Sequence, residues 1–237
     1  MTTSAPNLPD TRPVRRRRWR WVAGAMVVVV AVVCAYAAIP RHADLTRFDP
    51  DEMARLETLA WRHYYEKRYL PLFTDLYEMS RREQGYSPLD SVRVAVAAAR
   101  AARAFQPSTS RAEAEVAIPY LIDYFRILAR AAPIKVDIED TARTELAWWQ
   151  ARRENVTAEQ YAAIIARVTT LLYGAEGEDV RRSAVIRAKA MDYRDAHSTN
   201  TNEVDWATIE DQLQLAYRLL KKAVSSASAP IPKFAKP

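Results

Sequence analysis

The sequence predicts an all-α fold, an N-terminal single transmembrane helix followed by a compact bundle of about six or seven helices. Three observations lead there. An uncharged apolar run of 19 residues, Trp21 to Ile39, lies near the start. Almost every later segment opens on a helix N-cap signal and closes on a glycine or a polar, proline-bearing break. No stretch alternates apolar and polar residues between turn signals, so no strand is predicted.

As a helix the first run rises about 28 Å, close to the thickness of a bilayer's hydrocarbon core. Valine-rich composition suits a span, since the backbone has no water competing for its hydrogen bonds there. Arg12, Arg15, Arg16, Arg17, Arg18 and Arg20 precede the run, which predicts a cytoplasmic N-terminus and an exported body. Trp19 and Trp21 at one edge and Tyr36 at the other stand where aromatic side chains meet headgroups. The tripeptide Ala35-Tyr36-Ala37 also satisfies the small-x-small pattern before a signal-peptide cleavage point. An anchor is the favoured reading, because the apolar run exceeds the roughly 7–15 residues of a signal core. A lipoprotein reading is weaker, since Val33 precedes Cys34 where a small residue is wanted. The organisation expected is a basic N-terminus over 1–20, a signal-anchor over 21–39, an exported helical domain over 40–226 and a flexible Pro-rich tail over 227–237.

Each later element has its own signal. Asp49-Pro50-Asp51-Glu52 sets an N-cap acid, a proline at the first helical position and first-turn acids before the apolar residues Met53, Leu56, Ala60 and Tyr64. That helix is predicted to run to about Arg82, with a kink or break at Pro71, and to end at Gly85. Ser87-Pro88-Leu89-Asp90 opens an alanine-rich helix from about 88 to 105. Ser110 and Glu113 form a capping box for about 111–131, with a bend expected at Pro119. Asp137 and Asp140 start about 138–154. Thr157 to Gln160 caps about 158–173, closed by Gly174. A sixth helix covers about 178–195, and Asp205 caps the last, from Trp206 to about Val224. These starts are too unevenly spaced for a strict repeat.

Charge and scarcity exclude several classes. The chain carries +6 in all, but residues 1–40 hold six arginines against one acid, Asp10, which leaves 29 basic and 28 acidic residues for the rest. A nearly neutral body offers no general excess of positive charge for a phosphate backbone, so no nucleic-acid partner is expected. With four glycines in the whole chain, neither a P-loop nor a dinucleotide fingerprint can be written, and no nucleotide is expected. One cysteine, Cys34, allows no intrachain disulfide and no cysteine-rich metal site. No cofactor and no metal are predicted.

The candidate chemistry is sparse. Leu59, His63, Glu66 and Leu70 follow a helical stripe, placing His63 and Glu66 at the edge of the core. Desolvation beside Trp61, Tyr64 and Tyr65 is expected to raise Glu66 toward acid/base use, although a structural hydrogen-bonded pair is the commoner meaning. A one-metal site of His63, Glu66 and Glu145 needs convergence of three helix positions. In "ELAWWQARRE", Trp148 and Trp149 point about 100° apart, and Glu145 lies three and four residues before them, an acid beside an aromatic platform. Such a platform suits a sugar or a cationic ligand, and packing at a helix edge is the commoner use. Arg152 and Arg153 are expected to pair with acids or to cover indole faces. Arg93, Arg100 and Arg103 are expected to point outward from a closely packed alanine helix. Asn155-Val156-Thr157 matches the glycosylation acceptor pattern, with Thr157 already serving as a cap.

Two functional expectations follow. The first is a non-enzymatic interaction or assembly module, held by membrane lipid through its N-terminal helix and binding a protein partner on the exported side. The second is an exported cell-envelope hydrolase acting on a glycan, with Glu66 or Glu145 as acid/base and Trp148 or Trp149 as platform.

Overall fold

The computed structural model describes residues 12–39, 43–132, 134–154, 156–197 and 204–227, together with the backbone but not the side chains of 12–18. The chain divides into two compact units, Met1–Ile39 and Pro40–Pro237. Among the described residues the secondary structure is helical, with no strand.

The first unit is one helix, α1 (Arg12–Ala38), which reaches back through the arginine cluster. Its stretch Trp19–Ala38 is long and apolar enough to cross a membrane, and none of it is buried. Trp19 and Trp21 are 70% and 72% exposed, and Tyr36 is exposed as well. A valine-rich helix draws little stability from water, since most helix stability comes from packing an apolar face.

The second unit holds α2 (Pro50–Tyr65), α3 (Tyr69–Glu78), α4 (Pro88–Phe105), the single turn α5 (Arg111–Ala114), α6 (Ile118–Ala131), α7 (Ile138–Arg153), α8 (Ala158–Tyr173), α9 (Glu178–Ala196) and α10 (Trp206–Ala227). The caps act as the sequence predicts. Asp49 accepts from the amides of Asp51 and Glu52, Ser87 from Asp90 and Asp137 from Asp140. Thr157 and Gln160 form a full capping box, and Gly174 closes α8 in the left-handed region at φ +64°. Asp205 accepts from Ala207 and Thr208. The glycosylation triplet's Asn155 and the tail beyond Ala227 lie outside the described residues.

The two prolines inside predicted helices act differently. Pro119 falls at the start of α6, and a 3₁₀ turn over Glu115–Ala117 makes the bend before it. Pro71 does not sit at the break. The helix from Pro50 ends at Tyr65, six residues earlier, and Lys67 takes φ +57° just after it; Pro71 lies in the first turn of α3, where its missing amide proton costs nothing. The break turns the helix surface, so Leu70, expected on the buried stripe, is 82% exposed. A π-helical turn over Met79–Glu83 then carries Glu83 to the backbone amide of Asp49, 2.8 Å away.

The helices close into a ring. α2 packs on α3, α3 on α4, α4 on α6, α6 on α7, and so on through α8 and α9 to α10, which returns to α2. Contacts at the two ends establish that neighbours run up and down. At one end the starts of α2, α4, α7 and α9 meet the ends of α10, α6, α8 and α10 through Asp51–Arg218, Asp90–Arg130, Asp140–Arg167 and Asp179–Lys222. At the other, the ends of α7 and α9 meet through Arg152–Asp195, and Arg111 at the start of α5 reaches Glu154 past the end of α7. Residues 43–49 run across the first end. The Ala43 amide donates to Ala131, the Asp44 amide donates to Gln84, and the buried Phe48 ring lies edge-on to Tyr173 and Tyr217. On α4 the alanines 95, 97 and 101 are buried, while Arg93, Arg100 and Arg103 are exposed.

Candidate functional site

The sequence-predicted residues do not assemble into one site. His63, near the end of α2, places Nδ1 2.6 Å from Oδ2 of the buried Asp75 on α3. It pairs with a residue the sequence reading did not single out, and not with Glu66. Glu66 stands one step beyond α2, where Arg62 Nε donates to it at 2.8 Å and Arg68 lies 3.5 Å away. The Arg62 hydrogen bond holds its carboxyl below the usual carboxylate range. That overturns the expected upward shift, because two guanidinium groups outweigh the desolvation supplied by nearby rings. Among the described residues no group of three or more His, Cys, Asp or Glu could hold a metal ion, so the one-metal convergence of His63, Glu66 and Glu145 is not formed.

Glu145 has the opposite environment. It lies halfway along α7, and Trp149 Nε1 donates to its Oε1 at 2.9 Å. Burial raises its carboxyl above the ordinary value, and the Trp148 indole, Arg187 and the Trp149 bond act against that rise without cancelling it. The two indoles are edge-to-face, with centroids 6.1 Å apart. Trp149 also packs on Phe105 at 5.1 Å, while Trp148 joins a second apolar cluster around Tyr161 and Met191. The adjacent tryptophans therefore split between two parts of the core, as their 100° separation requires.

Five other helices contribute buried or half-buried polar groups to the interior. Glu57 on α2 is only 4% exposed. It accepts from Arg187 Nη2 on α9 and from the Tyr217 hydroxyl on α10 at 2.6 Å. Tyr124 on α6 feels the charge of Glu145. Tyr173 at the end of α8 is pushed up to about 12 by burial. Burial also leads the upward shift of Tyr217, with the Glu57 carboxylate adding to it. Arg187 is held in its charged form against desolvation by Glu57 first and Tyr217 next.

Desolvation is the leading influence on Tyr124, Glu145, Tyr173 and Arg187, and all four are half-buried; the Arg187 side chain keeps 33% of its surface. In addition, Arg187 Nε is buried without a hydrogen-bond partner.

Sequence reasoning missed Glu57, Arg187, Tyr217, Tyr124 and Tyr173. A signal for Glu57 existed: it sits four residues after Met53 and three before Ala60, inside the apolar stripe of α2, where an acid needs a buried partner.

At the end of the ring away from residues 43–49, arginines bind the helix ends. Arg152 grips Asp195 through two nitrogens, at 2.9 and 2.7 Å, and donates to the Tyr65 hydroxyl at 2.8 Å. Arg153 covers the Phe105 ring at 3.7 Å and donates to Ser108 and Gln106. Arg194 stacks on Tyr65 at 3.0 Å. Both expected arginines thus pair with an acid or cover a ring, although the ring is phenylalanine and not an indole.

Comparison with protein-family models, with curated proteins and with solved structures finds no match.

Proposed function

We propose that the chain is a single-pass protein of the cytoplasmic membrane, N-terminus inside, whose helical domain works on the exported side as a non-enzymatic interaction or assembly module. The observation that carries this reading is the helical stretch Trp19–Ala38, uncharged from Trp21 onward, long and apolar enough to cross a membrane, and with none of it buried. Six arginines precede its uncharged part, and the rest of the chain is nearly balanced in charge, which favours this orientation by the excess of basic residues on the inner side. Tethering raises the effective concentration of the domain for any partner in the same membrane. The distribution of the acids supports an interaction module over the glycan-hydrolase alternative. His63 is engaged by Asp75 and Glu66 by two arginines, and both Trp148 and Trp149 are packed into apolar clusters, with no sugar platform open on them.

Protease added to spheroplasts tests the placement. The reading predicts digestion of the body, with a membrane-retained N-terminal fragment. A body that survives while exported controls are cut contradicts it. The mass of the mature chain separates an anchor from a leader cleaved after Ala37, and cross-linking in intact membranes identifies the partner.

A further inference from the structure

We propose that the cavity at the end of the ring crossed by residues 43–49 is a binding site for the phosphodiester headgroup of a phospholipid, held by the guanidinium groups of Arg47 and Arg81. The choice of a lipid as the source rests on the membrane reading above, whereas the cavity belongs wholly to the helical domain.

The cavity has a volume of about 570 Å³, within the range of about 300–1,000 Å³ usual for small-ligand sites. Two segments wall it. Residues 43–49 supply Asp44 and Arg47, and the end of α3 with the π-helical turn supplies Glu78, Arg81 and Arg82. The segments are tied to each other, since the Asp44 amide donates to the Gln84 carbonyl at 2.9 Å and the Asp49 amide to Glu83 at 2.8 Å. The walls are therefore set before any ligand arrives. Gly85 also lines the space at φ +76°, and nothing lies within 4 Å of where a side chain would stand.

The charges of the lining divide into engaged and free. Arg82 is paired with Glu78. Asp44 accepts through one oxygen from the amide and hydroxyl of Thr46, at 2.8 and 2.7 Å. Arg47 and Arg81 have neither an ion pair nor a side-chain hydrogen bond among the described residues. Three arginines against two acids leave the lining with one positive charge in excess. Lys221 donates to the Thr46 carbonyl at 2.6 Å and adds the same sign beside Arg47. A single unpaired arginine on a surface is ordinary, but two lining one preformed cavity repel each other, and an anion between them relieves that repulsion. The planar donor fork of a guanidinium matches the oxygens of a phosphate, and a phosphodiester carries the single negative charge that the lining lacks.

The place of the cavity in the chain selects the source of that phosphate. Asp44 comes five residues after Ile39, the last of the apolar run, and five residues extend at most about 18 Å. A body anchored by that run is tethered by the end that holds the two free guanidiniums. At the opposite end Arg152 and Arg194 are engaged by Asp195, and Arg153 by Ser108.

The test uses the full chain in non-ionic detergent micelles, where no bilayer imposes a placement, so its outcome is separate from that of the protease experiment. Calorimetric titration with dihexanoyl phosphatidylglycerol is compared with dihexanoylglycerol, which lacks the phosphate, and with sodium phosphate at equal ionic strength. Saturable binding of the phospholipid is expected, with none of dihexanoylglycerol and weaker binding of inorganic phosphate. Arg47→Gln combined with Arg81→Gln should weaken the phospholipid by about tenfold or more. Arg100→Gln combined with Arg103→Gln removes the same charge from the exposed face of α4 and should leave binding unchanged. If the first pair does not fold, Arg47→Gln alone, at an exposed position, decides, with a loss of about threefold expected. Inorganic phosphate bound as tightly as the phospholipid would assign the cavity to a soluble phosphate compound and overturn the headgroup. No saturable binding, binding that the Arg47 and Arg81 substitutions retain, or dihexanoylglycerol bound as well as the phospholipid would overturn the site.

Discussion

Glu66 and Glu145 were both acid/base candidates on sequence grounds, each an acid close in sequence to aromatic residues, and the structure treats them in opposite ways. At the end of α2, Glu66 faces Arg62 and Arg68 in a setting open to water, and its proton is held less tightly than usual. Halfway along α7, Glu145 takes its hydrogen bonds from indoles, and burial makes its proton harder to remove. The contrast shows that neighbouring aromatics along one helix say little about a carboxyl. What decides is whether the fold brings a guanidinium within bonding distance. For Glu57 it does, and an acid buried more deeply than Glu145 remains paired.

The sharpest way to break this comparison is to remove the interior pairing. Glu57→Ala leaves Arg187 charged and Tyr217 without its acceptor, and we expect a loss of about 3–5 kcal/mol in urea unfolding. The double variant Glu57→Leu with Arg187→Leu should recover much of that, because it removes both charges together. Equal losses in the single and double variants would mean that packing, not charge pairing, accounts for the effect. A smaller change is expected at a helix start. Ser87→Ala removes the acceptor that caps α4 and should cost about 1 kcal/mol by the same measurement. The smallest belongs to the exposed region: Glu66→Gln loses an i,i+4 pair with Arg62 and should cost about 0.3–0.5 kcal/mol, less in high salt.

Much of the architecture was legible in the sequence because it is written locally. The caps Asp49, Ser87, Ser110, Asp137, Thr157 and Asp205 act within a few residues of themselves, so the starts of the predicted helices coincide with observed ones. Pro71 misled because a proline forbids helix on its N-terminal side without fixing where the break falls. The left-handed Lys67 sets that position, and lysine carries no such signal. Closure of the ring was not legible, since α2 and α10 are brought together from the two ends of the body and nothing local announces it. The interior polar network was hidden for the same reason. Glu57, Glu145, Arg187 and Tyr217 belong to four helices, and their pairing exists only after the ring has closed. Of the predicted site residues, only Glu145 with Trp148 and Trp149 form a local constellation, and spacing found that one.

The most direct test is stability measured against pH for wild type, Glu145→Gln and Glu66→Gln. Glu145 is raised on folding, so ionising it costs stability: wild type should lose ground to Glu145→Gln as pH rises through the carboxylate range, leaving the glutamine variant ahead at about pH 8. Glu66 is lowered on folding, so its contribution is present above the unfolded carboxyl value and lost as pH falls. Wild type should therefore lead Glu66→Gln at about pH 8 and converge with it in acid. Two difference curves of opposite slope are the predicted result. A flat curve for Glu145→Gln, or two curves of the same sign, would contradict the account of a desolvated, unpaired carboxyl at the centre of the ring.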